Sequence, residues 1–405
     1  MKEPKIIAIT GTVGKTTTKD ILYAGLSDSL SVRKSPKGFN SDIGVLLTVL
    51  NLDTHKASVL QWVKNIIKGF FVVFSKTYPE LLIIEVGANY PGEIRKNAKL
   101  LRPDVAVFTK LPDIMAHMEF FENRQHFVDE KLSLARFTKK GGWIIYNGDD
   151  ETLQKEFENE DFNSYNKKTF GRSADFVFKD VMINQHNDVL RGTDVLIYDD
   201  SKIHLQGVLG EHLGYSVTAL LLVSSVLNFR EKDTIKSLQK NFAPAPGRMR
   251  VFEVKDKKAT IIDDSYNALP ESVKNGSDIL KGLNVSGRKI YVLGRLAELG
   301  EYTEESYETA VRYIRESCDV IFLVNDGEVA KKYAQKLNFK EIYNFNEHGE
   351  DFFANTDDAG RFLKDYIKDG DVLIFKGARH STGFERAVSQ LIKEEDVKYL
   401  VQDHL

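Results

Sequence analysis

Seven consecutive residues, Gly11-Thr12-Val13-Gly14-Lys15-Thr16-Thr17, have the types and order needed to hold a phosphate chain. The two glycines let backbone N–H groups close on an anion, where a side chain would block the approach. Lys15 is placed to neutralise β- and γ-phosphate charge, and Thr16 to offer a hydroxyl to magnesium. The loop is shorter than the usual P-loop, because counting back from Gly14 puts Ile9 where the first glycine would stand. The alternative reading of the same residues is a glycine turn capping a structural helix.

Such a loop needs a strand to deliver it and a helix to receive it. Lys5 to Thr10 reads as a buried strand, and after Lys15 the residues Ile21, Leu22 and Leu26 recur at helical spacing. Leu81–Val86, Val105–Thr109 and Trp143–Tyr146 are further short apolar runs separated by helix-length segments, the pattern of a parallel sheet covered by helices. Glu85 falls at the C-terminal edge of one such strand, where ligands of open α/β sheets collect.

Between about Asp150 and Gly207 the texture changes to short alternating runs, read as a small β-rich subregion, and a helix follows from about Tyr215 to Asn228. Phe242 to Gly247 packs two prolines and a glycine into a linker, so domains are expected at 1–243 and 244–405. Strand-like runs at Ala259–Asp263, Lys289–Leu293, Val320–Val324 and Val372–Phe375 make the second a smaller, Rossmann-like α/β domain. The fold class expected is therefore α/β, a P-loop ATPase domain followed by that smaller domain.

Composition narrows the function. At 405 residues, with 42% hydrophobic and 28% charged residues, the chain has material for two or three ordinary domains and not for wholesale disorder. Fifty-six basic against 59 acidic residues lack the excess of positive charge that a nucleic-acid binder needs. A single cysteine, Cys318, cannot form an internal disulfide, which suits the reduced cytoplasm. The run Ile6–Thr10 is too short for an export signal, and Val59–Phe74 is interrupted by Lys64 and Lys68, so no transmembrane segment is expected. Ser58–Tyr78 reads as a core helix packed between domains, with weak or no binding to lipid vesicles; an interfacial helix is the alternative.

The loop TGTVGKTTTKD and the segments GFNSDIG (38–44), IEVGANYPGEI (84–94), AHME (116–119), PGRM (246–249), DDSYNALP (263–270), LGRLAELG (293–300) and KGAR (376–379) together resemble, in order, the Mur ligases. Members of that family use ATP to join an amino acid or peptide to a carboxylate. The resemblance implies a Mur ligase central domain followed by a Mur ligase C-terminal domain. It also implies an amide-forming ligase acting through an acyl phosphate, probing for nucleotide and peptide-type substrates, and adding a dipeptide such as D-alanyl-D-alanine to a peptidoglycan precursor. A polyglutamate or other non-UDP acceptor, and a non-catalytic ATP-binding scaffold, are the competing readings.

Carried over residue by residue, the resemblance makes Gly11 to Thr17 the ATP loop and gives magnesium to Thr16, Glu85, His117 and Lys131, the last as a carbamate. Arg248, Asp264 and Asn267 would reach the nucleotide from the second domain; Lys376 and Arg379 would clamp the carboxylate of the incoming amine substrate, and Asn40 would face substrate. The loop begins at residue 11, so the family's N-terminal UDP-sugar-binding domain is expected to be missing and to be supplied by a protein partner. The sequence departs from the family at Lys110, at Arg295-Leu296, at Tyr307 and around His212–Ser216, which touches acceptor and adenine contacts rather than the ATP and metal residues.

Overall fold

A computed structural model describes residues 3–36, 38–52, 59–72, 77–111, 120–186, 189–296, 299, 303–325, 328–348 and 351–402. The chain divides into two compact units, the first comprising Met1–Val181, Val195–Ile203 and Glu211–Ala243, the second the remainder.

The first unit opens with β1 (Lys5–Thr10), α1 (Lys15–Leu26), β2 (Val32–Lys34), α2 (Asp42–Leu50), α3 (Val59–Val72), β3 (Leu81–Glu85), α4 (Glu93–Leu101), β4 (Val105–Phe108), α5 (Arg124–Arg136), β5 (Trp143–Asn147) and α6 (Glu151–Phe157). The chain continues through β6 (Asn166–Gly171), β7 (Phe176–His186), β8 (Val189–Ile197), β9 (Lys202–Gln206), α7 (His212–Val226) and α8 (Glu231–Asn241). The sheet order is β2-β3-β1-β4-β5-β6-β7-β8-β9, and the strands from β2 to β6 pair in parallel. Those strands can be almost wholly apolar because both faces are covered. Ala8, Ile84 and Phe108 pack with Ile94 and Ala98 of α4 and Phe127 and Leu132 of α5, while α1 lies against α7 and α8.

The expected β-rich subregion after Asp150 is β6 to β9, which extends the parallel sheet: β6 pairs in parallel with β5, Trp143 opposite Asn166, and β7, β8 and β9 follow in the sheet order. Residues 182–194 and 204–210 of the following strands group with the second unit. The expected core helix exists as α3, but Trp62, Ile66 and Phe70 on it are exposed, whereas Asn65 is buried.

The second unit contains β10 (Arg250–Glu253), β11 (Thr260–Asp264), α9 (Pro270–Gly282), β12 (Lys289–Leu293), α10 (Thr303–Ser317), β13 (Val320–Val324), α11 (Glu328–Lys336), β14 (Glu341–Phe345), α12 (Phe352–Tyr366), β15 (Val372–Lys376), α13 (Arg379–Thr382) and α14 (Phe384–Ser389). Its sheet runs β10-β11-β15-β12-β13-β14, parallel except for β10. The register sets Asp264, the last residue of β11, directly beside Lys376, the last residue of β15.

Candidate active site

In the first unit β1 has β3 on one side and β4 on the other, so the connections leaving their C-terminal ends diverge and open a crevice. Three segments meet there. The loop Gly11–Gly14 follows β1, Glu85–Gly87 ends β3, and Thr109-Lys110 follows β4.

The loop's shape is enforced from β4. Thr109 Oγ1 donates to the Val13 carbonyl at 2.6 Å, and Thr12 N–H donates to the Lys110 carbonyl at 2.8 Å. Gly11 has φ +133° and Gly14 has φ +88°, a region that side chains disfavour, and a Cβ on Gly11 would stand 2.2 Å from Thr109 Oγ1. The family difference at Lys110 therefore leaves the backbone support of the loop intact, because it is the carbonyl of that residue that is used.

This geometry suits a nucleotide's phosphates on structural grounds. No side chain caps the N-terminus of α1, so the first N–H groups of the helix keep their donors for an anion. Thr12 Oγ1 is buried without a hydrogen-bond partner among the described residues. Lys15 Nζ folds back to donate to the Thr12 carbonyl at 3.1 Å, which holds an ammonium at the loop.

Glu85 is buried at the floor of the crevice. Its backbone N–H donates to Ser35 Oγ at 3.0 Å, and its carboxylate accepts from Thr16 Oγ1 at 3.1 Å and pairs with Lys19 Nζ at 3.5 Å. A hydroxyl and a carboxylate converging in this way make a hard-oxygen pair suited to magnesium. Among the described residues no group of three or more His, Cys, Asp or Glu could hold a metal ion. His117 lies outside the described residues. Asn40 sits on the same edge, its carbonyl accepting the Gly87 N–H at 2.8 Å.

Lys131 is also buried, on α5, with its ammonium 4.7 Å from the centre of the Phe127 ring. Burial, reinforced by the positive charge of Lys15, pulls its pKa down to about 7, against the opposing pull of Glu130, Glu85 and Glu93. Glu130 is itself fixed by the N–H groups of Ile94 and Arg95, at 2.7 and 3.3 Å, at the start of α4. Lys15, Thr16, Glu85 and Lys131 thus belong to one electrostatic neighbourhood.

Lys19 and Glu130 were not among the residues singled out from sequence. Lys19 stands four residues after Lys15 on α1, the spacing that puts two side chains on one helix face, and that spacing was the available signal. Nothing local marks Glu130.

In the second unit Arg248, Asp264, Tyr266, Lys376 and Arg379 gather at the C-terminal ends of β11 and β15. Gly247, at φ +68°, lets its carbonyl accept the Tyr266 N–H at 3.1 Å. Arg248 and Arg379 stack on the Tyr266 ring, 4.1 and 4.7 Å from its centre. Asn267 turns its Oδ1 to the neighbouring Ala268 N–H at 2.8 Å. Lys376 differs from the expected substrate clamp: it is buried, and its ammonium lies 2.6 Å from Asp264 Oδ2. Burial pushes the Asp264 carboxyl up and the Lys376 ammonium down, and their mutual attraction opposes both. A cavity of about 460 Å³ in this unit is lined by residues such as Lys255, Lys257 and Lys364, before β11 and β15 begin, and so opens at the opposite edge of the sheet.

Comparison with known proteins agrees with this architecture. The family model described as Mur ligase middle domain matches residues 9–63 and 64–223, and that described as Mur ligase, glutamate ligase domain matches residues 247–379. The chain belongs to the Mur ligase family, whose members are ATP-dependent ligases that join carboxylates to amines.

Within it, the chain is 26% identical over 392 residues to the UDP-N-acetylmuramoyl-tripeptide–D-alanyl-D-alanine ligase of Bacillus subtilis, covering 96% of this chain and 76% of that one. The same-named ligase of Rickettsia prowazekii is 24% identical, over 93% of this chain and 75% of its own. Among solved structures, MurF of Thermotoga maritima in complex with ADP superposes with TM-score 0.72 at 25% identity, over 98% of this chain and 81% of that one. Folylpolyglutamate synthase of Mycobacterium tuberculosis shares the fold, with TM-score 0.65 at 13% identity over 96% of this chain and 91% of that one. Among the described residues no helix is long and apolar enough to cross a membrane.

Proposed function

We propose that this ligase is MurF-like and adds D-alanyl-D-alanine to the peptide carboxylate of a UDP-N-acetylmuramoyl-tripeptide. The observation that carries the reading is similarity to ligases of that name over 96% of the chain, joined to a loop and crevice built for nucleotide phosphates. ATP with magnesium would supply the phosphoryl group that turns the acceptor carboxylate into an acyl phosphate open to attack by the dipeptide's amine.

The chain's own residues do the rest. Gly11–Gly14 and the uncapped start of α1 grip the phosphates, and Lys15 and Lys19 balance their charge. Thr16 and Glu85 would hold the magnesium, with His117 as a further ligand. Lys131, with a pKa near 7, keeps a neutral amine fraction at physiological pH that could combine with carbon dioxide, releasing a proton and giving an anionic carbamate that would serve as a further metal ligand. Arg248, Asp264 and Asn267 would contact the nucleotide. Lys376 sets the orientation of Asp264, Arg379 takes the dipeptide carboxylate as a planar guanidinium can, and Asn40 faces the acceptor. The reading places the enzyme in the cytoplasm.

Purified protein incubated with ATP, magnesium, UDP-N-acetylmuramoyl-tripeptide and D-alanyl-D-alanine should give the pentapeptide product by mass spectrometry, with matching phosphate release. Product with L-glutamate instead would move the chain to a polyglutamate-type ligase. Nucleotide binding without any amide product would make it a scaffold.

A further inference from the structure

Helix α3 is mounted with its apolar side outward. At 100° per residue, Trp62, Val63, Ile66, Ile67, Phe70 and Phe71 cover one half of the helix surface. All six are exposed, Ile66 by 71% and Phe70 by 66%. Among residues 62–72 the buried positions are Asn65 and Gly69, one turn apart and outside the apolar half, and a Cβ at Gly69 would meet Leu50 and Leu52 at 3.5 and 3.6 Å. A helix stabilised by its own domain would be turned the other way, so the outward face calls for a partner of its own.

Charge and size decide what that partner is. From Thr54 to Pro79 the sequence has four lysines, Lys56, Lys64, Lys68 and Lys76, and no Asp or Glu, although the chain as a whole carries net charge −3. Lys64 and Lys68 are exposed and lie next to the apolar face on the helix surface. A 14-residue helix is about 21 Å long. At about 10 Å across, it presents roughly 200 Å², well short of the ~800 Å² per partner that a stable protein interface buries. Protein interfaces are also depleted of lysine, whereas an anionic lipid surface attracts it and takes tryptophan and phenylalanine at the headgroup boundary.

We infer that α3 is a membrane-surface anchor that lays its Trp62–Phe71 face into the headgroup region of an anionic bilayer, lysines alongside, and so holds this ligase reversibly at a membrane.

Flotation with vesicles of equimolar phosphatidylglycerol and phosphatidylcholine tests it. The wild-type chain should partition onto these vesicles at least about tenfold more than onto pure phosphatidylcholine. Ile66→Ser with Phe70→Ser, both at exposed positions, should abolish partitioning while leaving the ATP-dependent activity in solution unchanged. Lys64→Glu with Lys68→Glu should reduce it to the level seen with the neutral lipid, and Trp62 fluorescence should shift to the blue only with anionic vesicles. Absence of wild-type binding to the anionic vesicles would overturn the inference, as would binding that the serine pair leaves unchanged. Concentration-dependent dimerisation in sedimentation velocity, lost in the serine pair, would assign the face to a second copy of the chain instead.

Discussion

Thr16 and Glu85, 69 residues apart in sequence, meet through a 3.1 Å hydrogen bond at the mouths of two adjacent parallel strands. Neither residue could make an oxygen site alone: α1 brings the hydroxyl and β3 the carboxylate. Glu85→Gln keeps the shape and removes the charge, so it should lower kcat by about 10²- to 10³-fold. Its apparent magnesium requirement should rise in titrations, and Thr16→Ala should add little on top because both act on one ion.

The glycine at position 11 is required by Thr109. Gly11→Ala forces a positive φ and a contact with Thr109 Oγ1, and should cost about 1–3 kcal/mol in denaturant unfolding. Nucleotide affinity should fall with it. Thr109→Ala removes the oxygen that is struck and should restore part of the loss in the double variant, which a purely entropic effect of alanine would not show.

Lys131 couples stability to pH. Its pKa falls from 10.5 to about 7 on folding because burial penalises the ammonium. Above its unfolded pKa the amine is neutral in both states and the penalty vanishes; as pH drops toward the folded value the penalty grows, and below it is complete. Replacing Lys131 by Met should therefore raise the melting temperature relative to wild type most at about pH 6, with the gap shrinking at about pH 9. In the assay, Lys131→Ala should be nearly inactive and partly rescued by a short carboxylic acid, whereas Lys131→Arg should stay inactive. Carbon dioxide-depleted buffer should slow the wild type, and bicarbonate should restore it.

Asp264 and Lys376 test a different division of labour. Lys376→Ala leaves a buried carboxylate without its partner and should destabilise the protein by about 3–5 kcal/mol, with the double change to Leu and Met recovering much of it. Arg379→Ala should leave the melting temperature near wild type and raise KM for the dipeptide. Equal stability of the lysine variant and the wild type would return Lys376 to a surface role.

The phosphate loop was readable in sequence because its chemistry is local: two glycines, a lysine and two threonines between a strand and a helix leave few other uses. The short apolar runs gave most strands for the same reason. Lys19 and Lys376 were different, since a lysine on a helix or at a strand end looks solvated until the carboxylate it faces, Glu85 or Asp264, arrives from far along the chain. Strand β14 escaped notice because it is an edge strand only half buried, without an unbroken apolar run. Helix α3 has strong helical periodicity, but periodicity does not say which side faces the protein, and here Asn65 and Gly69 do.

An oxygen-18 label on the acceptor carboxylate follows the proposed chemistry atom by atom. If ATP activates that carboxylate as an acyl phosphate, one labelled oxygen must leave with phosphate when the amine attacks. Inorganic phosphate formed alongside the amide should then carry one label per turnover, and Lys15→Ala should form neither amide nor labelled phosphate while retaining its fold. Amide product accompanied by unlabelled phosphate would contradict the assignment of the loop, the crevice and their residues to this reaction.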